Sequence, residues 1–212
     1  ARAMLVGVLV SLCSALLGTS LVLKRYSMIG DGLSHVGFGA LAVASALGLA
    51  PLAVAVPVVV VAAVILLRIS QTRSAIKGDA AVALISSGAL AIGVLVISLT
   101  SGSNTNISNY MFGSILTVSR ADAVLSVVLC AAVIVCFTLL YPRIFAITFD
   151  ETFAQATGAK AGAYNMLLAV LTAVTVVLGM RMMGALLISS LIIFPPLAAM
   201  RVFRSFRSVT VC

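Results

Sequence analysis

Two residues with metal-binding chemistry stand close together in the apolar, glycine-rich stretch SMIGDGLSHVGFGAL, residues 27–41. Asp31 and His35 are four positions apart, and His35 is the single histidine among 212 residues. On an α-helix, residues at this spacing project from the same face, about 6 Å apart along the axis. A carboxylate oxygen and an imidazole nitrogen are both ligands for divalent transition metals. The spacing therefore predicts a metal-binding pair, with a hydrogen-bonded packing pair and a metal-free proton relay as the alternatives.

Composition indicates which medium surrounds this pair. Hydrophobic residues make up 63% of the chain and charged residues 8%, whereas about 25% of the residues in a soluble domain are charged. So much apolar surface predicts a polytopic membrane protein, an all-α transmembrane helical bundle. The net charge of +8 does not indicate nucleic-acid binding, because the basic residues fall between apolar segments and act as topology signals.

Several segments are long and apolar enough to cross a lipid bilayer. We expect a single transmembrane domain over residues 1–212, with the Asp31–His35 pair in its second span. Ionisable groups within a membrane are costly and usually mark a substrate or proton path. The predicted spans are 4–23, 27–49, 51–67, 80–101, 121–141, 164–179 and 183–200.

Lysine and arginine residues are distributed unequally between the two sides of this arrangement. One side carries Lys24, Arg25, Arg68, Arg73, Lys77, Arg143, Lys160, Arg201, Arg204 and Arg207, and the other carries Arg2, Arg120 and Arg181. The side with more basic residues is expected to be the cytoplasm. The loop 142–163 is then cytoplasmic, and the loop 102–120, with a short half-helix at 110–118, lies outside.

The cytoplasmic loop is a second candidate site. Pro142 is expected to end the preceding span, and an acidic first turn then opens a short helical stretch that a glycine is positioned to end. The loop is longer than most connections, which favours docking of a cytoplasmic partner over an amphipathic surface turn. The candidate coupling residues are Asp150, Glu151, Phe153, Ala154 and Gly158.

Polar residues elsewhere give weaker signals. Polar side chains in the outer loop are suited to bind a cation or a delivery protein, and a solvated turn is the alternative. These residues are Asn104, Asn106, Asn109 and Tyr110. Consecutive prolines interrupt the last span and free backbone carbonyls there, for which kinked packing is the alternative to a ligand role. The candidate pathway-lining residues are Ser34, Ser189 and Ser190. No nucleotide-binding loop of the G-x-x-x-x-G-K-[ST] type occurs, so ATP hydrolysis is expected in a partner.

Four segments together resemble the permease subunits of bacterial zinc, manganese and iron ABC uptake transporters. LVLKRYSMIGDGLSHVGFGALAVA is similar to the family segment RR-x-S-L-I-G-D-A-L-S-H, and NYMFGSILTVS to Y-L-F-G-S-I-L-x-V-S. FDETFAQATGA resembles the coupling segment F-D-x-E-F-A-x-x-x-G, and MMGALLISSLIIFPPLAAMR resembles the family's last-span segment. The matches are collinear and cover nearly the whole chain. VGFGA and FPPLA depart from the family's proline pattern, which affects helix bending but not the Asp31–His35 pair.

The resemblance implies the type II importer fold shared with cobalamin and siderophore permeases, continued by further helices beyond Cys212. It implies a non-enzymatic, multi-pass subunit of the bacterial cytoplasmic membrane that forms a homodimer. Its partners would be a pair of cytoplasmic ATP-binding subunits and an extracytoplasmic metal-binding protein. Asp31 and His35 map onto the family's metal-pathway residues. The cargo would be Zn²⁺, Mn²⁺ or Fe²⁺, with no permanently bound cofactor and with ATP on the partner subunit.

Three other functions stay open at this point. A siderophore or cobalamin permease carries a large organic cargo, which leaves an Asp–His pair without an obvious task. A secondary cation transporter predicts inverted repeats, and GDGLSH has no counterpart in the second half of the chain. A structural or assembly subunit of a membrane complex is compatible with the composition.

Overall fold

The computed structural model describes residues 2–24, 26–71, 78–101, 112–113 and 120–211. These residues form helices and contain no strand, so the all-α prediction is confirmed for the described part. The helices are α1 (Arg2–Leu23), α2 (Ser27–Ala46), α3 (Pro51–Gln71), α4 (Gly78–Ser101), α5 (Arg120–Phe149), α6 (Glu151–Ala156), α7 (Ala161–Met183), α8 (Ala185–Val202) and α9 (Phe206–Val211).

Six helices of the described part are long and apolar enough to cross a membrane, namely α1, α3, α4, α5, α7 and α8. The prediction of a multi-pass membrane protein is therefore confirmed. The predicted second span forms α2, which is not among these six because Asp31, His35 and several glycines make it less apolar. It has 20 residues, of which 13 are buried, and it packs against α3, α4, α7 and α8. α2 is thus the central helix of the bundle.

Glycines allow α2 and α4 to pack at close range. A Cβ atom on Gly32 would lie 2.7 Å from Val82 Cγ1, and one on Gly39 would lie 2.6 Å from the Ala89 carbonyl oxygen. Both contact positions advance by seven residues, so the two helices run parallel. Small residues at such contacts let backbones approach within a membrane, where dispersion contacts rather than water exclusion hold helices together.

The prediction that Pro142 ends a span is wrong. α5 runs unbroken from Arg120 to Phe149 with Pro142 inside it. A proline removes one backbone hydrogen bond, while the buried side chains of Ile144 and Ile147 hold the following turns against the bundle. The cytoplasmic loop predicted at 142–163 shortens to 150–160, and most of that segment is the short helix α6.

The consecutive prolines near the end of α8 do not interrupt this helix either, contrary to the sequence prediction. α8 is continuous from Ala185 to Val202 with Pro195 and Pro196 inside it. Pro196 has no N–H to donate to the Ile192 carbonyl oxygen. This oxygen lies against Gly18 of α1, and a Cβ atom on Gly18 would collide with it. A glycine on the neighbouring helix therefore gives the freed carbonyl room, and the helix passes through both prolines.

Basic residues predicted to be cytoplasmic lie together at one end of the bundle. Lys24 contacts the start of α7, Arg143 donates a hydrogen bond to the Tyr164 hydroxyl, and Arg68 lines a cavity with Lys160. At the opposite end, Gly7 of α1 lies beside the Met183 side chain at the end of α7. The structure thus brings together residues that the charge rule assigns to the cytoplasm.

Candidate functional site

Asp31 and His35 lie one turn apart on α2 and face each other. The distance from His35 Nε2 to Asp31 Oδ2 is 3.8 Å, which is longer than a hydrogen bond. His35 Nδ1 is buried and has no hydrogen-bond partner among the described residues. Because a buried nitrogen without a partner is unfavourable, this imidazole has capacity to bind a ligand that the chain itself does not use.

The pair lies on the part of α2 that the neighbouring helices leave open. The Asp31 side chain is 45% exposed, the His35 side chain is 23% exposed, and Met28 on the same face is exposed. On one flank Gly32 contacts α4, and on the other Ser34 contacts α8. The Asp31–His35 pair therefore opens into a groove between α4 and α8.

The described residues of the chain supply only part of a metal coordination sphere. No group of three or more histidine, cysteine, aspartate or glutamate side chains close enough to hold a metal ion occurs among them. A closed structural zinc site has four protein ligands. The arrangement on α2 is chemically suited to a weak, open site that receives further ligands from elsewhere.

The three predicted pathway serines are not equivalent in the structure. Ser34 Oγ donates a hydrogen bond to the Asp31 carbonyl oxygen at 2.7 Å and lies 3.0 Å from Ser189 Oγ. The hydroxyls thus join α2 to α8 directly beside Asp31. Within α8, Ser189 Oγ also donates to the Ala185 carbonyl oxygen at 3.0 Å, and Ser190 Oγ donates to the Leu187 carbonyl oxygen at 2.8 Å. The structure brings Ser34 and Ser189 to the Asp31–His35 pair, and it leaves Ser190 apart from them.

The predicted coupling residues form a short, well-capped helix. Asp150 precedes α6, and its Oδ1 accepts hydrogen bonds from Phe153 N at 2.8 Å and Thr152 Oγ1 at 2.7 Å. These bonds, first from the Phe153 backbone and then from Thr152, lower the pKa of the Asp150 carboxyl, because they stabilise its ionised form. Gly158 follows the helix at φ 87°, with the paired backbone hydrogen bonds of a Schellman motif.

α6 has one buried face and one free face. Ala154 is buried against Ile147 and Ala161, at the ends of α5 and α7. Phe153, the next residue, is 65% exposed. An aromatic side chain presented to solvent on a rigid, capped helix is a typical anchor for a partner protein.

A polar cluster of Lys24, Glu151 and Asn165 connects α6 to the rest of the bundle. The Lys24 side chain is 6% exposed and Asn165 is buried, whereas the Glu151 side chain is 40% exposed. Lys24 Nζ lies 3.4 Å from Glu151 Oε2 and donates a hydrogen bond to Asn165 Oδ1. Asn165 Nδ2 donates to Glu151 Oε1 at 3.1 Å. Burial lowers the pKa of the Lys24 ammonium, and the Glu151 carboxylate offsets part of this shift.

Sequence reasoning assigns Lys24 only to topology and assigns nothing to Asn165. The signal that could have found this cluster is Asn165 itself, an amide at the start of an otherwise apolar helix, since a buried amide needs partners. The predicted outer-loop residues Asn104, Asn106, Asn109 and Tyr110 lie outside the described residues.

Known proteins resemble this chain along almost its whole length. The ABC 3 transport family model matches residues 1–212. The high-affinity zinc uptake system membrane protein ZnuB of Haemophilus influenzae is 30% identical over 210 residues, covering 98% of this chain and 79% of that protein. The manganese import system permease protein ScaB of Streptococcus gordonii is 27% identical over 208 residues, covering 98% of this chain and 74% of that protein.

Two solved structures share the fold. PsaBC from Streptococcus pneumoniae, solved with a Fab, is 28% identical and superposes with a TM-score of 0.86 over 99% of this chain and 75% of that chain. A metal-chelate type ABC transporter in an inward-facing conformation has a TM-score of 0.66 at 17% identity, covering 99% of this chain and 72% of that chain, and shows likeness of fold alone. The full-length family match and the ZnuB similarity agree with the resemblance in the four segments, and the chain belongs to the ABC 3 transport family.

Proposed function

We propose that this chain is the membrane-spanning permease subunit of an ATP-driven importer that passes a divalent transition metal ion into the cytoplasm. The observation that carries the proposal is the open Asp31–His35 pair on the central helix α2. The names of the relatives support zinc or manganese as the cargo. Fe²⁺ is included because carboxylate and imidazole ligands also suit it.

The Asp31–His35 pair serves as a transient station for the ion. Its ligands are held 3.8 Å apart without a hydrogen bond between them, so an ion can enter without breaking one. A transport site must bind strongly enough to receive the ion and weakly enough to release it. An incomplete ligand set meets both conditions, and no hydrogen bond from the described residues fixes His35 Nδ1.

A second copy of the permease completes the site. A carboxylate within a membrane is costly, by up to about 2.5–3.5 kcal/mol at the centre on insertion scales, so a 45% exposed Asp31 is unsuited to face lipid tails. In a homodimer that closes the groove between α4 and α8, two such pairs meet across the symmetry axis. They supply four ligands to the ion and remove the carboxylates from lipid.

ATP hydrolysis takes place on a separate cytoplasmic subunit, and this chain has no enzymatic step of its own. α6 docks into that subunit, with the exposed Phe153 as its anchor. Asp150 and Gly158 cap the helix, while Ala154 fixes it on the bundle. ATP therefore acts on the metal path through the position of α6.

An extracytoplasmic metal-binding protein delivers the ion to the loop 102–120. This assignment rests on the charge rule, which places that loop outside. A cysteine introduced as Asn106→Cys in the full-length protein is expected to react with an impermeant thiol reagent added outside, whereas Lys160→Cys is not. The reverse labelling pattern would contradict the orientation of the whole bundle.

A metal-chelate importer is the second candidate, because one solved transporter of that type has the same fold. An organic chelate would enclose its own metal and leave Asp31 and His35 without a ligand role. The two functions are separated by offering the same complex free and chelated metal.

The test is ATP-dependent uptake of radioactive Zn²⁺ and Mn²⁺ by the full-length complex in proteoliposomes. We expect wild-type uptake, and loss of uptake in Asp31→Asn and in His35→Ala with assembly retained. Loss of assembly in both variants would favour the packing role of the pair. Unchanged uptake in both would contradict the metal station.

A further inference from the structure

We propose that Lys24 is a positioning residue that transmits movement of α6 to the metal-binding helix α2. It does so through the polar cluster with Glu151 and Asn165 described above. The inference rests on the proposed function, since it takes α6 as the docking helix and the Asp31–His35 pair as the metal station.

The cluster joins three elements at one point. Lys24 lies in the turn between α1 and α2, Glu151 is the first residue of α6, and Asn165 lies near the start of α7. Each of the three side chains contacts the other two. A displacement of α6 therefore acts on the turn and on α7 together.

The path from Lys24 to the metal station is short. α2 begins three residues after Lys24, at Ser27, and Asp31 follows after about 6 Å of helix rise. Backbone hydrogen bonds close the turn, from Lys24 N to Ser20 O at 3.1 Å and from Tyr26 N to Leu21 O at 2.8 Å. The second bond joins Tyr26, which precedes α2, to the last turn of α1, so a pull on the Lys24 side chain reaches the first turns of α2.

Burial makes this link different from the apolar contacts of α6. The Lys24 side chain is 6% exposed and that of Glu151 is 40% exposed, so loss of Glu151 leaves a buried ammonium without its counter-charge, which is unfavourable. Apolar contacts such as that of Ala154 weaken only gradually when helices slide. A movement of α6 therefore carries the Lys24 side chain with it, because separation would leave this ammonium buried and without its counter-charge.

Three variants of the full-length complex, reconstituted with its ATPase and delivery protein in proteoliposomes, test this role. Lys24→Met keeps the length of the side chain and removes the charge. The exchange of Lys24→Glu with Glu151→Lys restores the pair in reverse. Lys160→Met is the matched control, because Lys160 is an exposed lysine at the same end of the bundle, on the α6–α7 connection.

We expect Lys24→Met to lower metal uptake per ATP hydrolysed by at least about tenfold, within the range of site-to-site coupling energies. Basal ATP hydrolysis by the partner stays within about twofold, as for an uncoupled complex. The charge exchange recovers most of the coupling relative to either single variant, which a merely structural role would not produce. Lys160→Met leaves the ratio of uptake to hydrolysis at the wild-type value.

Normal coupling in an assembled Lys24→Met complex would overturn the role of Lys24. Coupling in the charge-exchange variant that is no better than in either single variant would also overturn this role. If Lys24→Met does not assemble, Glu151→Gln decides, since it keeps the size of the side chain and one of the two acceptor oxygens and removes the charge; intact coupling in that variant also overturns the inference. Absence of metal uptake by the wild-type complex would instead contradict the proposed function, and this role with it.

Discussion

Two charged groups of residues lie near the start of α2, and they are built in opposite ways. Asp31 and His35 are 3.8 Å apart and partly exposed, and one imidazole nitrogen has no partner among the described residues. Lys24, Glu151 and Asn165 all contact one another, and the Lys24 side chain is 6% exposed while that of Glu151 is 40% exposed. The Asp31–His35 pair keeps ligand atoms that an ion can bind, whereas Lys24, Glu151 and Asn165 use their polar groups to bind one another.

This difference separates two roles for ionisable residues at a membrane. A group with unused ligand capacity suits an ion that enters and leaves. A group of residues that satisfy one another's hydrogen bonds suits a connection between helices, because moving one residue alone would break those bonds. Both groups lie at the start of α2. Lys24 precedes the helix by three residues, and Asp31 follows Lys24 by about two helical turns.

Asp31→Asn is expected to have the largest effect on function. Asparagine keeps the size of the side chain but removes the anionic ligand, and a loss of about 2.8 kcal/mol in ion binding corresponds to about 100-fold. Uptake of Zn²⁺ and Mn²⁺ in proteoliposomes measures it. Asp79→Asn, an exposed carboxylate in the first turn of α4, is the control. Equal losses of uptake in Asp31→Asn and Asp79→Asn would show that Asp31 has no special role in binding the ion.

Phe153→Asp should uncouple ATP hydrolysis from uptake by about tenfold, since a docking pocket on the partner would receive an unpaired charge. The measurement is the ratio of transported metal to hydrolysed ATP. Phe203→Asp, an exposed aromatic residue that follows α8, tests whether any charge at this end of the bundle has the same effect. Normal coupling in Phe153→Asp would show that α6 does not dock through this side chain.

Gly39→Ala should destabilise the seam between α2 and α4 by about 1–3 kcal/mol, because the added Cβ meets a backbone oxygen that cannot give way. The ideal Cβ position is 2.6 Å from the Ala89 carbonyl oxygen. Thermal unfolding of the purified protein in detergent measures the change. Gly88→Ala is the control, since a Cβ there meets no atom within 4 Å. Equal unfolding temperatures would contradict the close packing of α2.

Ser189→Ala should have the smallest effect, a loss of about 0.6 kcal/mol or roughly threefold in uptake, the usual size of an interhelical hydrogen bond in a membrane. It removes the hydroxyl that lies 3.0 Å from Ser34 Oγ beside Asp31. Ser190→Ala, whose hydroxyl bonds within its own helix, should change uptake less. The opposite order would show that α8 faces the pathway through Ser190.

The fold could be predicted from apolar segment lengths, and its details could not. The start of α2 at Ser27 agrees with the pattern, because polar residues precede the apolar run. α5 continues through Pro142 because tertiary packing of Ile144 and Ile147 outweighs one lost backbone bond. Such packing involves residues distant in sequence, which a local pattern does not contain.

The candidate site was accessible to sequence reasoning only where its members lie on one helix. The i, i+4 spacing placed Asp31 and His35 on one face, and the structure has them there. Lys24, Glu151 and Asn165 come from three elements, and Lys24 and Asn165 are separated by 141 positions. Their contact depends on how α1, α6 and α7 pack together.

The most direct test of the account is the ligand environment of zinc in the purified full-length permease–ATPase complex, without the delivery protein. X-ray absorption at the zinc edge should show imidazole nitrogen at about 2.0–2.1 Å together with carboxylate oxygen. The imidazole signal should disappear in His35→Ala, and bound zinc should fall in Asp31→Asn. An unchanged imidazole signal and zinc content in both variants would contradict the assignment of Asp31 and His35 as the metal station.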